Sequence, residues 1–236
     1  PMAVLVNLAS ASASEIYSAA IQDYERGIII GSTTTGKGTA QVQLDSLAHG
    51  QATLTQRKFY RVTGGSTQNK GVIPDIRLVD IYNEEFGERK AKNALKWDTI
   101  PTAPFKREGS VQPYLAKLNQ TSEQRVATDP QFKYLETRKT LAKKSADEKK
   151  VVLDIDQRRA ELVDLEKQTL GAENQRRAAT GQPPYANWES YQASIDALVE
   201  SRAKMKAHLR PPLPEEEAFI TEAANVLLDY AALQGR

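Results

Sequence analysis

Two short segments near the beginning of the chain hold the residue types that acyl-transfer chemistry uses. The first is Asn7-Leu-Ala-Ser-Ala-Ser-Ala-Ser-Glu15. It falls between an apolar run that reads as a strand, Ala3–Val6, and a stretch that reads as a helix, Ser12–Arg26. A serine at that junction has its hydroxyl at the positive end of a helix, where backbone N–H groups can also stabilise an oxyanion. Small neighbours leave room for a peptide to approach. The same residues fit a plainer role as well: Ser12-Ala-Ser-Glu15 matches a capping box, with Ser12 as N-cap and Glu15 reaching back. A nucleophilic serine further needs a base. The two histidines are His49, in a polar turn, and His208, at a helix end, and neither has a recognisable His/Asp setting. Without histidine, the usual base is a lysine kept neutral by burial.

The second segment supplies a lysine. Lys37 lies in Gly31-Ser-Thr-Thr-Thr-Gly-Lys-Gly38, just after the apolar run Ile28–Ile30. The spacing matches the first part of a phosphate-binding loop. Two features oppose that reading. Gly38 stands where a Ser or Thr would hold Mg²⁺, and Thr39–Leu44 alternates like a strand where a phosphate loop must open a helix. If the chain is extended from Lys37 onward, Lys37, Thr39 and Gln41 share one face. The Gln41 amide could then hold the lysine toward the serine, with Ala40, Val42 and Leu44 facing a core. Taken alone, Lys37 is equally well a solvated loop lysine.

Around these segments the chain divides near residue 100. The first part, 1–100, reads as α/β. Its elements are the strand Ala3–Val6, the helix Ser12–Arg26 closed by Gly27 at C′, the buried strand Ile28–Ile30, and the strands Thr39–Leu44 and Leu54–Val62. Gly64–Gly65 makes a turn, and Pro74 argues against a long central strand at Val72–Pro74. Pro101–Gly109 reads as a linker. The remainder, 101–236, is rich in Lys, Glu, Gln, Ala and Leu, as surface helices are. Asp129–Pro130 predicts an N-cap and N1 pair opening a helix to about Ala146. Val151–Ile155 is a short strand candidate, and Asp156 is the expected cap of a helix running to about Thr180. Further helices are expected over Trp188–His208 and after Pro214, where Glu215–Glu217 suit a first turn. In that last helix Ile220, Ala223, Ala224, Leu227 and Ala231 form an apolar stripe expected to dock on a core.

Composition excludes several classes. A charged fraction of 26% with a net charge of +2 gives no field suited to nucleic acid. The absence of cysteine removes disulfides, thiolate metal sites and cysteine nucleophiles. No apolar run approaches the roughly 18 residues of a membrane-spanning helix, and no signal-peptide pattern is visible. The chain opens at Pro1 inside a strand-like run, so it is expected to be a piece of a longer protein. Lys143–Lys144 and Lys149–Lys150 read as solvated faces.

Taken together, the motifs resemble the carboxy-terminal processing peptidases of family S41, in particular the tail-specific protease subfamily. The matching stretches are Ser10-Ala-Ser-Ala-Ser-Glu-Ile16, Gln22-Asp-Tyr24, Gly36-Lys-Gly-Thr39 with Gln41, Lys58-Phe-Tyr-Arg-Val-Thr-Gly-Gly-Ser-Thr-Gln68, Lys70-Gly-Val-Ile-Pro-Asp-Ile76 and Asn93-Ala-Leu-Lys-Trp-Asp98. No one of them is specific; their joint order is. The likeness extends more weakly through the helical region and is least around Trp188–His208.

The resemblance implies an α/β protease half-domain (mixed sheet with helices) over 1–100, followed by a mainly α-helical C-terminal domain over 101–236. It implies a serine endopeptidase with Ser12 as nucleophile, Lys37 as general base and Gln41 orienting the lysine. Ser10 and Ser14 are the alternatives to Ser12. The N–H of Ala13 is the expected oxyanion donor. Asp23 matches an acidic position of the subfamily. It lies about 16 Å along the helix from Ser12 at 1.5 Å per residue, so its expected role is support. No cofactor and no metal are implied. The implied partners are protein substrates with apolar C-terminal tails, upstream PDZ and N-terminal protease segments, and an adaptor lipoprotein. The implied location is the bacterial periplasm, in association with the inner membrane. The PDZ domain and a second oxyanion donor would lie upstream, so this chain alone is expected to be inactive or very weak. The helical part is expected to be a structural domain or a substrate-gating and adaptor surface.

Overall fold

The structure is a computed structural model that describes residues 1–44, 47, 49–82 and 87–235. Its elements in chain order are β1 (Ala3–Val6), α1 (Ala13–Asp23), β2 (Ile28–Gly31), β3 (Thr39–Leu44), β4 (Ala52–Lys58), β5 (Ile76–Arg77), a 3₁₀ turn (Glu88–Lys90), α2 (Gln112–Thr128), α3 (Pro130–Asp147), α4 (Ile155–Ala179), α5 (Trp188–Ala203), a second 3₁₀ turn (Ala207–Leu209) and α6 (Pro214–Leu233). The early part is α/β and the later part helical, and both parallel and antiparallel strand pairs are present. The chain folds into two compact units. One is Pro1–Glu123 with the stretch from Glu222 onward; the other is Gln124–Thr221.

The first unit is organised by Ile28-Ile-Ile30. These side chains are fully enclosed on the central strand of the sheet β1-β2-β5, whose pairs are parallel. A parallel strand covered on both faces needs such an unbroken apolar run. Each isoleucine stabilises the fold by roughly 1.5–3 kcal/mol. Joining parallel neighbours requires a crossover, and α1 supplies it. Val6, Ala19, Ile29 and Val72 form the core beneath α1. Val6 stands opposite Gly31 in the register, so the loops that leave the C-terminal ends of β1 and β2 are neighbours.

Asp75 fastens this layer. Its carboxylate accepts from Ile29 N–H and Gln22 Nε2, each at 2.8 Å, and its own N–H donates to the Ile29 carbonyl. Burial pushes the Asp75 carboxyl above its ordinary pKa, while these two donors pull it down.

Helix α1 ends earlier than its sequence predicts. Glu25, not Gly27, takes the left-handed position, with φ 51°. Glu25 N–H bonds Gln22 O and Arg26 N–H bonds Ile21 O, the pattern of a Schellman cap. A glutamate tolerates this because its buried carboxylate accepts from Val111 N–H and pairs with Arg107. Gly27 is needed for another reason: a Cβ there would lie 2.8 Å from the Met2 carbonyl oxygen. The Pro101–Gly109 stretch is therefore no free linker. Glu108 N–H bonds Tyr24 O, Phe105 packs edge-on against Tyr24, and Gly109 presses on Glu25.

Strands β3 and β4 form a separate antiparallel ribbon whose register slips between Ala40 and Gln41. Thr39 at its base is buried, but Ala40, Gln41, Gln43 and Leu44 are exposed. The expected core face of Ala40, Val42 and Leu44 does not form, because the ribbon has no second layer over it within the described unit. Leu54–Val62 is a strand only as far as Lys58; Tyr60 adds one isolated bridge to Ser66. The beginning of α2 and the end of α6 complete the unit. Leu118 and Val226 are fully buried, Tyr114 meets Tyr230 edge-on, and Asn119 Nδ2 donates to Asp75 O. The buried face of α6 in this unit is Glu222, Ala223, Val226 and Tyr230, whereas Ala224 is exposed. The predicted stripe is thus rotated.

In the second unit α3 packs on α4 and α4 on α5. Asp129 caps α3 with Pro130 at N1, as the sequence predicts. Val151–Leu153 is not a strand, and Asp154, not Asp156, caps α4 by accepting from Asp156 N–H and Gln157 N–H. Helix α5 stops at Ala203, short of His208. Phe132 and Leu135 are buried, and Phe132 meets Phe219 edge-on. A buried bidentate ion pair, Glu173–Arg176, lies one turn apart on α4, and Arg176 also faces the Tyr134 ring. Removing one member leaves an uncompensated buried charge, whereas removing both does not. Arg176→Leu is therefore expected to lower the unfolding free energy by about 3–5 kcal/mol, and Glu173→Leu/Arg176→Leu by clearly less. Urea titrations followed by helical circular dichroism check this; equal losses would contradict it.

Candidate active site

Ser12 is the hinge between β1 and α1, and its backbone is strained. It has φ 56° and ψ −111°, a conformation L-residues avoid at a cost on the order of 1–3 kcal/mol. Such a sharp strand-to-helix turn lifts a side chain clear of the sheet, as a nucleophile elbow does. Both halves of the capping box are in place, but the Ser12 half is not a formed hydrogen bond. Glu15 reaches back to Ser12 N–H at 2.9 Å, but Glu15 N–H bonds the Ser12 carbonyl, and the Ser12 hydroxyl makes no cap bond. Among the described residues the Ser12 hydroxyl donates no hydrogen bond, and the N–H of Ala13, the first residue of α1, has no acceptor. A groove of about 450 Å³ beside this turn is lined by Val4–Val6, Ser10, Ala13, Ser14 and Tyr17, and not by Ser12 itself.

Lys37 lies on the loop that leaves β2. Its flanking glycines have a structural cause. The backbone of Gln68–Asn69 presses against both, so a Cβ on Gly38 would sit 2.5 Å from Gln68 N and one on Gly36 would sit 3.0 Å from Asn69 C. Gly36 also needs φ 88°. The cradle is hydrogen-bonded throughout: Asn69 N–H to Gly36 O at 2.8 Å, Gly38 N–H to Gln68 Oε1 at 2.8 Å, and Val72 N–H to Thr34 Oγ1 at 2.7 Å.

One side chain joins the serine turn to the lysine loop. The Glu15 carboxylate is fully buried and accepts four hydrogen bonds. Oε2 takes Ser12 N–H and Lys37 N–H, at 2.9 and 2.8 Å; Oε1 takes Gly36 N–H and the Thr34 hydroxyl, at 2.7 and 2.5 Å. A second link runs from Thr35 N–H to Ser10 O and from the Thr35 hydroxyl to Leu8 O. Ser12 and Lys37 therefore sit on one braced frame. The phosphate-loop reading fails on the same facts: the N–H groups of Gly36, Lys37 and Gly38 are already committed to Glu15 and Gln68, and a strand follows.

The remaining predicted residues stand apart. Among the described residues Lys37 Nζ makes no hydrogen bond to Ser12. Gln41 is exposed on β3, and its amide faces Thr55 Oγ1 at 3.4 Å across the ribbon; it makes no hydrogen bond to Lys37. Asp23, at the other end of α1, forms a bidentate pair with Arg61, which also donates to Gln22. His49 and His208 are both exposed. Among the described residues no group of His, Cys, Asp and Glu side chains could hold a metal ion.

Comparison with known proteins bears on this frame. The family model for the C-terminal domain of tail specific protease (DUF3340) matches residues 81–232, and the model for peptidase family S41 matches residues 1–78. The chain belongs to the tail-specific proteases of family S41. The tail-specific protease of Haemophilus influenzae is 43% identical over 171 residues, covering 67% of this chain and 24% of that protein. The carboxy-terminal-processing protease of Bartonella bacilliformis is 43% identical over 86 residues, covering 36% of this chain and 20% of that protein. Among solved structures, the photosystem II D1 C-terminal processing protease aligns with 38% identity and a TM-score of 0.31, covering 34% of this chain and 20% of that chain. This S41 chain thus spans about a quarter of the length of its Haemophilus relative.

In the sequence alone Glu15 shows only a capping role, and Thr34 and Gln68 show none. The signal for Glu15 was its spacing from Ser12; its reach to Lys37 depends on β1 and β2 being neighbours. Glu15→Ala would strand four donors, at about 1–3 kcal/mol for each that water cannot reach. Faster hydrogen exchange is expected at the Gly36 and Lys37 amides together, with a loss of several kcal/mol in denaturant titrations. Unchanged exchange at both amides would contradict the bracing role.

Proposed function

We propose that this chain carries the nucleophile and the base of a serine endopeptidase that processes proteins from their C-terminal tails. One observation supports this most: a serine hydroxyl that donates to nothing, on a strained strand-to-helix turn tied through Glu15 to the loop that bears a lysine. In the reaction the Lys37 amine, acting as base, takes the Ser12 proton as Oγ attacks the scissile carbonyl carbon. The oxyanion that forms accepts from Ala13 N–H. Collapse breaks the C–N bond, and the lysine ammonium returns the proton to the leaving amine. Water then attacks the acyl ester, giving its proton to Lys37, and the new carboxyl terminus departs as Ser12 is restored. Lys37 must reach Ser12 for this, and Gln41 must leave Thr55 to orient it, while Asp23 supports the far end of α1.

Substrates with apolar tails, recruitment by an upstream PDZ domain, an adaptor lipoprotein as partner and a periplasmic location complete the reading; their support is the family resemblance. A second oxyanion donor would come from outside this chain, so the chain by itself is expected to cleave little. In the full-length protein, Ser12→Ala and Lys37→Ala are each expected to reduce peptide hydrolysis by at least about 10³-fold with the fold intact, because members of a catalytic unit fail together. Ser10→Ala and Ser14→Ala should retain activity. Full hydrolysis by Ser12→Ala, or none by the unmodified full-length protein, would defeat the proposal.

A further inference from the structure

The 3₁₀ turn Glu88–Lys90 lies in the stretch matched by the C-terminal domain family model, yet its contacts are with the lysine loop of the S41 stretch. Glu88 N–H donates to Thr35 O at 3.0 Å, and Arg89 Nη2 donates to Thr34 O at 3.2 Å. Gly87 sits so close that a Cβ would be 3.2 Å from Thr35 O. On the other side of Lys37, Glu88 Oε1 accepts from Gln68 Nε2 at 3.1 Å, and Gln68 Oε1 accepts from Gly38 N–H at 2.8 Å. Gln68 is fully buried. A glutamine amide can present either its oxygen or its nitrogen, and only the oxygen can receive Gly38 N–H. A carboxylate accepts and does not donate, so Glu88 fixes the Gln68 amide the right way round.

We propose that Glu88 is a positioning residue for Lys37. It holds the loop on both sides of the lysine, at Thr35 through its backbone and at Gly38 through Gln68. The inference rests on the reading of Lys37 as base given above. It assigns the first turn of the C-terminal region a part in the site, beyond any structural or gating role of the helices. The loop is then gripped twice, by Glu15 from the serine side and by Glu88 from the C-terminal side.

The test uses the full-length protein with a peptide substrate and its Ser12→Ala variant as the blank. Glu88→Ala is expected to lower kcat about 10- to 100-fold, the scale of a misplacement near 1 Å, with KM changed less than about twofold. Glu88→Gln keeps an acceptor oxygen and should restore most of that loss. Gln68→Ala should cost about as much as Glu88→Ala, and the double variant no more than either, since the two act through one contact. Independently of turnover, Glu88→Ala should speed hydrogen exchange of the Gly38 amide by at least about tenfold. Normal kcat in Glu88→Ala, additive losses with Gln68→Ala, or equal losses in Glu88→Ala and Glu88→Gln would overturn the inference while leaving Ser12-dependent hydrolysis standing. Unchanged Gly38 exchange overturns it even if the protein hydrolyses nothing, the result that would sink the underlying reading as well.

Discussion

The Glu15 carboxylate has no solvent around it and four donors directed at it. A lone carboxylate in that position would be costly; its hydrogen bonds and its place in the first turn of α1 offset the cost. The arrangement has a geometric consequence. The donors come from two loops that leave adjacent parallel strands, so one side chain sets the spacing between Ser12 and Lys37. Oε2 alone receives one donor from each loop, and Oε1 adds two more from the lysine loop.

The constraint extends outward from Glu15. The Ser12 backbone stays in a strained conformation because Glu15 grips its N–H and its carbonyl starts α1. The lysine loop can lie flat against Gln68–Asn69 only because Gly36 and Gly38 lack side chains. Thr34 passes the contact on to Val72 and so to the core beneath α1. Farther away, Asp75 and Glu25 tie the sheet, the end of α1 and the 105–111 segment together. Serine and lysine thus sit on a stiff support, which is what a reaction sensitive to small displacements requires.

Much of this was legible in the residue order, and the rest fails for identifiable reasons. β1 and the Ile28–Ile30 run could be read because short apolar stretches bounded by small residues have few alternatives. The Asp129–Pro130 start of α3 could be read because capping is local chemistry. Ser12 and Lys37 were found as residue types, but each had an innocent local reading, and their proximity depends on which strands pair. Glu25 in a left-handed cap was not legible, since its compensation comes from Val111, far along the chain. The rotated face of α6 and the exposed Ala40 and Leu44 show the same limit: periodicity marks an apolar side, and the partner decides which side is covered. The cap of α4 was missed by two residues because both Asp154 and Asp156 suit the position, and only geometry chooses Asp154.

In the proposed mechanism the frame that holds Ser12 and Lys37 lets the lysine serve the serine. A structure of the full-length protein with a peptidyl boronic acid bound tests it most directly. The expected result is a covalent adduct on Ser12 Oγ, Lys37 Nζ within about 2.6–3.2 Å of that oxygen, and Ala13 N–H facing the boronate. An adduct on Ser10 or Ser14, or Lys37 still out of reach beside an occupied Ser12, would contradict it.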